Sequence, residues 1–304
     1  MDKSEKELRD KKALKNYLIF TLGISFVLEI AYIIFSAVTG SNDGMKGNGF
    51  FMVAIMWTPA IIAIVFAIKY YKRISMLGVT IGKATPLLLG LFLPVIYLGL
   101  SYFIAWAITG DVTRGFEALA LDLGWKEGSG DLPALFVLTH VFVGIFPSMA
   151  GAFGEELGWR GFMYPVMERV EGRKKALLYS GLIYAAWHLP LVLAGLYVIQ
   201  TPLWYGAIMY IIYDIVFVVI LSWLRSVSKS ILPPLLIHAS TNLFGQLVLN
   251  ELSTKDAVPY LAGETGVITI VLMVGVAALG LFWWKKHDVK MAEIKEERKA
   301  INNQ

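Results

Sequence analysis

The chain has 304 residues, of which 57% are Ala, Val, Ile, Leu, Met, Phe, Trp or Tyr and only 16% are charged, with a mean hydropathy of +0.64. A soluble domain carries roughly a quarter charged residues, so too few polar side chains remain to cover a water-facing globule of this size. The 27 Lys and Arg against 23 Asp and Glu leave a charge of +4, but they flank apolar runs and so read as membrane orientation rather than nucleic-acid binding; the absence of cysteine excludes disulfides, thiolate nucleophiles and thiolate metal sites.

In chain order, residues 1–15 are charged with both signs and no small-residue cleavage site follows the first apolar run, so they read as a cytoplasmic tail and not a cleavable signal. Eight apolar runs then have the length to cross about 30 Å of hydrocarbon. They lie at roughly 16–38, 50–69, 86–108, 133–153, 176–198, 203–224, 231–250 and 264–284. Pro190 and Asp214 interrupt the fifth and sixth, while Pro233 and Pro234 open the seventh, where a first helical turn has no use for the missing N–H. Residues 16–285 are thus expected to form one all-α domain, a bundle of about eight transmembrane helices, followed by a charged tail over 286–304, helical or disordered. No internal repeat or inverted duplication is visible.

Lys and Arg alternate between the connections. The N-terminal tail, the loop around Lys69, Lys72, Arg73 and Lys83, the loop from Arg160 to Lys175, the pair Arg225 and Lys229, and the tail from Lys285 are basic. The opposite connections hold only Lys46, Arg114, Lys126 and Lys255. By the positive-inside rule both termini are cytoplasmic in a multi-pass cell-membrane protein. Trp283, Trp284, Tyr70 and Tyr71, beside lysines at span ends, have the look of interfacial anchors.

An ionisable group at mid-bilayer costs about 2.5–3.5 kcal/mol on insertion scales, so such groups face a bundle interior or a wet cavity. Within the runs or at their ends these are Glu29, His140, the cluster Glu155, Glu156 and Arg160 at the cytoplasmic end of the fourth, then His188, Asp214, and His238 with the polar Asn242. On a helix Glu156 and Arg160 are four apart and can pair, whereas Glu155 points about 100° away and needs another partner. Gly154 and Gly158 form a small-xxx-small pair that lets a neighbouring helix approach. His238 and Asn242 share one face. Each feature alone has a structural explanation; together they place a carboxylate, two imidazoles and an amide on three segments of one core. Asp214 is a candidate to fix a histidine tautomer, or a plain interhelical hydrogen bonder. His140 reads as structural, His287 as exposed, and Glu29 as capping a water pocket or facing a neighbouring helix.

At these residues the sequence resembles the CPBP family, the CAAX proteases and bacteriocin-processing enzymes. Glu155, Glu156 and Arg160 match its Glu-Glu-x-x-x-Arg motif; Tyr184 to His188 matches Phe-x-x-x-His with Tyr for Phe; His238 and Asn242 match His-x-x-x-Asn. The resemblance covers about residues 132–249, and the first three spans share only their apolarity with the family. It implies an intramembrane endopeptidase acting on a membrane-associated or lipidated peptide. Glu155 would act as general base, His188 would hold the water, His238 and Asn242 would stabilise the oxyanion, and Glu156, Arg160 and Asp214 would support them. A metal-free mechanism ranks first and no cofactor is expected. The alternative is a zinc held by Glu155, His188 and His238, against which stands the lack of a His-Glu-x-x-His pair. A non-hydrolytic family member serving as chaperone, immunity or scaffold protein, and a transporter using the same buried charges as a relay, are the rival readings.

Overall fold

The computed structural model describes residues 2–40, 49–111, 132–198 and 200–302, with the side chains of 132–140, 295 and 297–302 excepted. The described residues form helices joined by turns and loops and contain no strand. Helix α1 spans Lys3–Thr39 and begins at a capping box, in which Asp2 Oδ1 accepts from the Glu5 N–H at 2.7 Å and Glu5 Oε2 accepts from the Asp2 N–H at 2.9 Å. The basic N-terminal segment is therefore a continuation of the first span. Helices α2 (Gly49–Phe66, extended by a π-helical turn over Ala67–Tyr71) and α3 (Ala84–Thr109) follow. Then come α4 (Leu132–Gly158), a π-helical turn over Trp159–Met163, and the short α5 (Tyr164–Glu171). Helices α6 (Arg173–Leu193) and α7 (Leu203–Ser228) form an antiparallel pair. Helix α8 (Leu232–Thr241) runs on as a π-helix over Asn242–Leu249, and α9 (Val258–Leu261) precedes α10 (Val267–Asn302).

Six of these helices, starting at Lys3, Gly49, Ala84, Arg173, Leu203 and Val267, are long and apolar enough to cross a membrane. The other two expected spans are helical as well, as α4 and as α8 with its π-helical extension. Large apolar side chains such as Val27, Phe92, Phe103, Phe146, Val271 and Leu279 stand exposed on the outside. Water would penalise an apolar surface of this extent, while lipid removes the penalty. The protein is a multi-pass, all-α membrane protein.

Pro190 lies inside α6, near its end, and Asp214 inside an unbroken α7, so neither divides a span as the sequence suggested. The expectation for Trp284 is corrected: it is 1% exposed, and the Arg173 guanidinium lies 3.9 Å from its ring centroid, so it is a packing residue, whereas Trp283 is exposed. The C-terminal tail continues α10 through Asn302. Lys46, Arg114 and Lys126, used above for topology, lie outside the described residues, as does the His140 side chain.

The inner helices approach closely because α4 carries glycine on the side that meets α2. A Cβ on Gly154 would stand 2.7 Å from the Met56 carbonyl oxygen, and one on Gly158 would stand 2.6 Å from that of Pro59. That contact seats the end of α4, with its two adjacent glutamates, deep against α2.

Candidate active site

Glu155 and Glu156 are both buried, and their neighbouring positions on α4 send them in different directions. Glu156 points into protein: Arg160 Nη1 donates to its Oε1 at 3.1 Å, and the same oxygen pairs with His238 Nδ1 at 2.9 Å. Arg160 is itself 1% exposed, its guanidinium lying 4.7 Å from the Tyr184 ring centroid, and its main-chain carbonyl accepts from Arg225 Nε at 2.9 Å. Desolvating such a group costs several kcal/mol unless it is paired and hydrogen bonded. The pairing of Glu156 with Arg160 expected from the spacing is present, and His238 completes a triad. The turn that carries Arg160 is π-helical, a local widening that recurs at functional sites.

Glu155 instead meets Tyr184, whose hydroxyl donates to Oε2 at 2.7 Å. One turn further along α6 is His188, whose Nδ1 sits 3.1 Å from Asp214 Oδ2 and 3.2 Å from the Tyr184 carbonyl oxygen. A carboxylate and a carbonyl can only accept, so Nδ1 carries the hydrogen and Nε2 is left with its lone pair. Aromatic rings fix the imidazole. Tyr184 and Trp187 lie edge-on at 4.7 and 4.6 Å, Tyr210 at 5.4 Å, and Tyr197 stacks at 5.9 Å.

Glu155, His188, His238, Asn242 and Asp214 line one cavity. Its apolar wall comes from Met52, Ile55 and Met56 on α2 with Leu191 and Phe217. It offers about 40 Å³ to the centres of water molecules, room for a few at roughly 10–15 Å³ each. All five residues singled out in the sequence as catalytic or as their histidine partner are thus brought together, and Glu156 and Arg160 stand directly behind them.

Four lining residues escaped the sequence reading. Tyr184 was a mere substitution in a motif; its hydroxyl now proves to hold Glu155. Gln246 donates from Nε2 to Glu264 Oε1 and to the Tyr197 hydroxyl, both at 2.9 Å, and Tyr197 donates to the same Glu264 oxygen at 3.1 Å. Gln246 was visible as the third member of a stripe at spacing four, after His238 and Asn242. Glu264 and Tyr197 sit near span ends, where nothing in the sequence separates them from ordinary loop residues.

Among the described residues no group of three or more His, Asp or Glu side chains is arranged to share a metal ion. Glu155, His188 and His238 line the cavity without converging as a ligand set, and both Nδ1 atoms are committed to carboxylates.

Lipid-facing helices enclosing a cavity lined by carboxylate, imidazole and amide groups define a multi-pass membrane protein with an intramembrane polar site. The sequence profile of type II CAAX prenyl endopeptidase Rce1-like proteins matches residues 135–244, a stretch that contains every motif residue from Glu155 to Asn242. A curated relative, CAAX prenyl protease 2 of Methanococcus maripaludis, is 23% identical over 276 residues, covering 84% of this chain and 90% of the relative. Together these matches support the CPBP family, the family that the three motifs resemble.

Proposed function

We propose that the chain is a glutamate-dependent intramembrane endopeptidase that hydrolyses a peptide bond in a membrane-associated or lipidated peptide. Supporting this reading is one observation above the rest: Glu155, His188, His238 and Asn242, from three helices, line a single cavity sized for water. Glu155 takes a proton from a water whose other hydrogen is accepted by His188 Nε2, and the water oxygen bonds to the scissile carbonyl carbon. The oxyanion that develops is met by the Asn242 amide and by His238, which donates from Nε2 in its doubly protonated form, a form that the Glu156 carboxylate at Nδ1 stabilises. Collapse breaks the C–N bond, and Glu155 returns its proton to the leaving amine. Asp214 holds the His188 ring in register. No step is routed through a metal.

The substrate class follows the name of the M. maripaludis relative, which points to a prenylated CAAX peptide. Cytoplasmic termini and a cell-membrane location belong to the same proposal, supported by the alternation of Lys and Arg between the connections. The deciding experiment offers purified protein in lipid vesicles a farnesylated CAAX peptide, its unprenylated counterpart and a mixed peptide library. Glu155→Gln, His188→Ala and a chelator run in parallel. Cleavage lost in both variants and indifferent to chelator is the expected result. Cleavage by both variants at the parent rate would refute the site, loss on chelation would restore the zinc alternative, and preference for the unprenylated peptide would overturn the substrate class.

A further inference from the structure

One buried group of the cavity has no part in the chemistry above. Glu29 of α1 is 0% exposed and lines the same cavity as Glu155 and His188, yet neither of its carboxyl oxygens has a hydrogen-bond partner among the described residues. Ser25 lies four residues earlier and so on the same helix face. It too is 0% exposed, with an Oγ that has no partner among the described residues. Thr21, four residues earlier again and 0% exposed, continues the line and has the Tyr17 hydroxyl as a side-chain partner. From Thr21 to Glu29 the line covers about 12 Å of helix. The other face of α1 presents Ile24, Val27 and Ile30 to the lipid.

An unpaired buried hydroxyl or carboxyl oxygen costs about 1–3 kcal/mol. Leucine at positions 25 and 29 would carry no such cost, so the Ser25 and Glu29 oxygens call for a partner that is not a side chain. Ordered water fits that need: it bonds about three polar groups at once, and Glu29 lines a cavity with room for it. Hydrolysis at mid-membrane also consumes one water per turnover, while the surrounding hydrocarbon holds almost none. We infer that Thr21, Ser25 and Glu29 form a water-binding file along α1 that ends in the Glu155–His188 cavity, with Glu29 as its water-positioning residue. The use of the file rests on the hydrolytic reading of the cavity; its existence does not.

The chain has no cysteine, so an introduced thiol reports on its own position alone. Full-length Ser25→Cys and the lipid-facing Val27→Cys are reconstituted in phosphatidylcholine vesicles and exposed to silver ion in chloride-free buffer. They are then unfolded and alkylated, and the blocked fraction is read by intact mass. Ser25→Cys is expected to be blocked at least about tenfold faster, since only it meets water; equal rates overturn the file. On the prenylated peptide, Glu29→Leu should lower kcat by about tenfold with KM held within about twofold, and Glu29→Gln, which still bonds water, should recover most of the loss, a factor of ten being about 1.4 kcal/mol. An unchanged kcat in Glu29→Leu overturns the positioning role. A wet Ser25→Cys in a protein that cuts nothing would retain the file and sink the peptidase; a dry one in a protein that cuts well would do the reverse.

Discussion

The outer and inner helices of this bundle are built from much the same apolar alphabet and end up in opposite surroundings. The apolar stretches of α1, α3 and α10 are 22%, 33% and 33% buried, whereas those of α6 and α7 reach 50% and 56%. Hydropathy cannot separate the two groups, because lipid and protein interior are equally good solvents for leucine. Polar content does: Glu155, Glu156, His188, Asp214 and His238 all sit on inner helices, where each has a side-chain partner on another element. Helix α1 is the exception among the outer three: of its two buried acids Asp10 pairs with Arg169, whereas Glu29 is without a protein partner among the described residues. Wall helices can therefore be altered cheaply, while inner helices carry both the stability of the fold and its chemistry.

The sharpest break of that comparison is at Glu155. Removing its charge as Glu155→Gln should cost about 10²–10⁴-fold in kcat, the usual worth of a general base, with the melting temperature of the protein in detergent little changed. Next comes Glu156→Leu, which strands Arg160 and unties His238. Stranding a buried charge costs about 3–5 kcal/mol, to be seen as a collapsed thermal transition and poor recovery of folded protein. Tyr184→Phe keeps the ring and deletes only the bond to Glu155; a hydrogen bond to a charged group is worth about 1.5–3 kcal/mol, so kcat/KM should fall by roughly one to two orders of magnitude while folding is preserved. Gly158→Ala presses a methyl group toward the Pro59 carbonyl and should destabilise by about 1–3 kcal/mol. The smallest effect belongs to the wall: an added Cβ at Gly99 of α3 meets nothing within 4 Å. Gly99→Ala should leave stability unchanged or raise it by up to about 1 kcal/mol, and a loss as large as that of Gly158→Ala would erase the contrast between the regions.

How much of this was legible beforehand depended on whether a feature is local. Span positions were readable, because a run of apolar residues long enough for the bilayer has few alternatives. The Glu156–Arg160 pair and the glycine contact followed from helical spacing alone. His188, Asp214 and His238 were recognisable as misplaced polar groups and Asp214 as a candidate partner for a histidine, but not for which one, since a hydrogen bond between α6 and α7 leaves no mark on either sequence. Gln246 could have been reached by carrying the spacing of His238 and Asn242 one turn further. Glu264, at the edge of an apolar run, looked like any solvated loop acid, and Trp284 like an anchor. Both are decided by neighbours distant in the chain.

Two consecutive glutamates divide their labour because a helix turns them about 100° apart: one opens on the cavity, the other is bolted to Arg160 and His238. A mutational screen that scores only growth or product would find both positions intolerant and group them as one. Scored for the amount of folded protein, the pair would separate, with position 155 free to vary and position 156 constrained, so that the doublet is legible as two selections on adjacent codons.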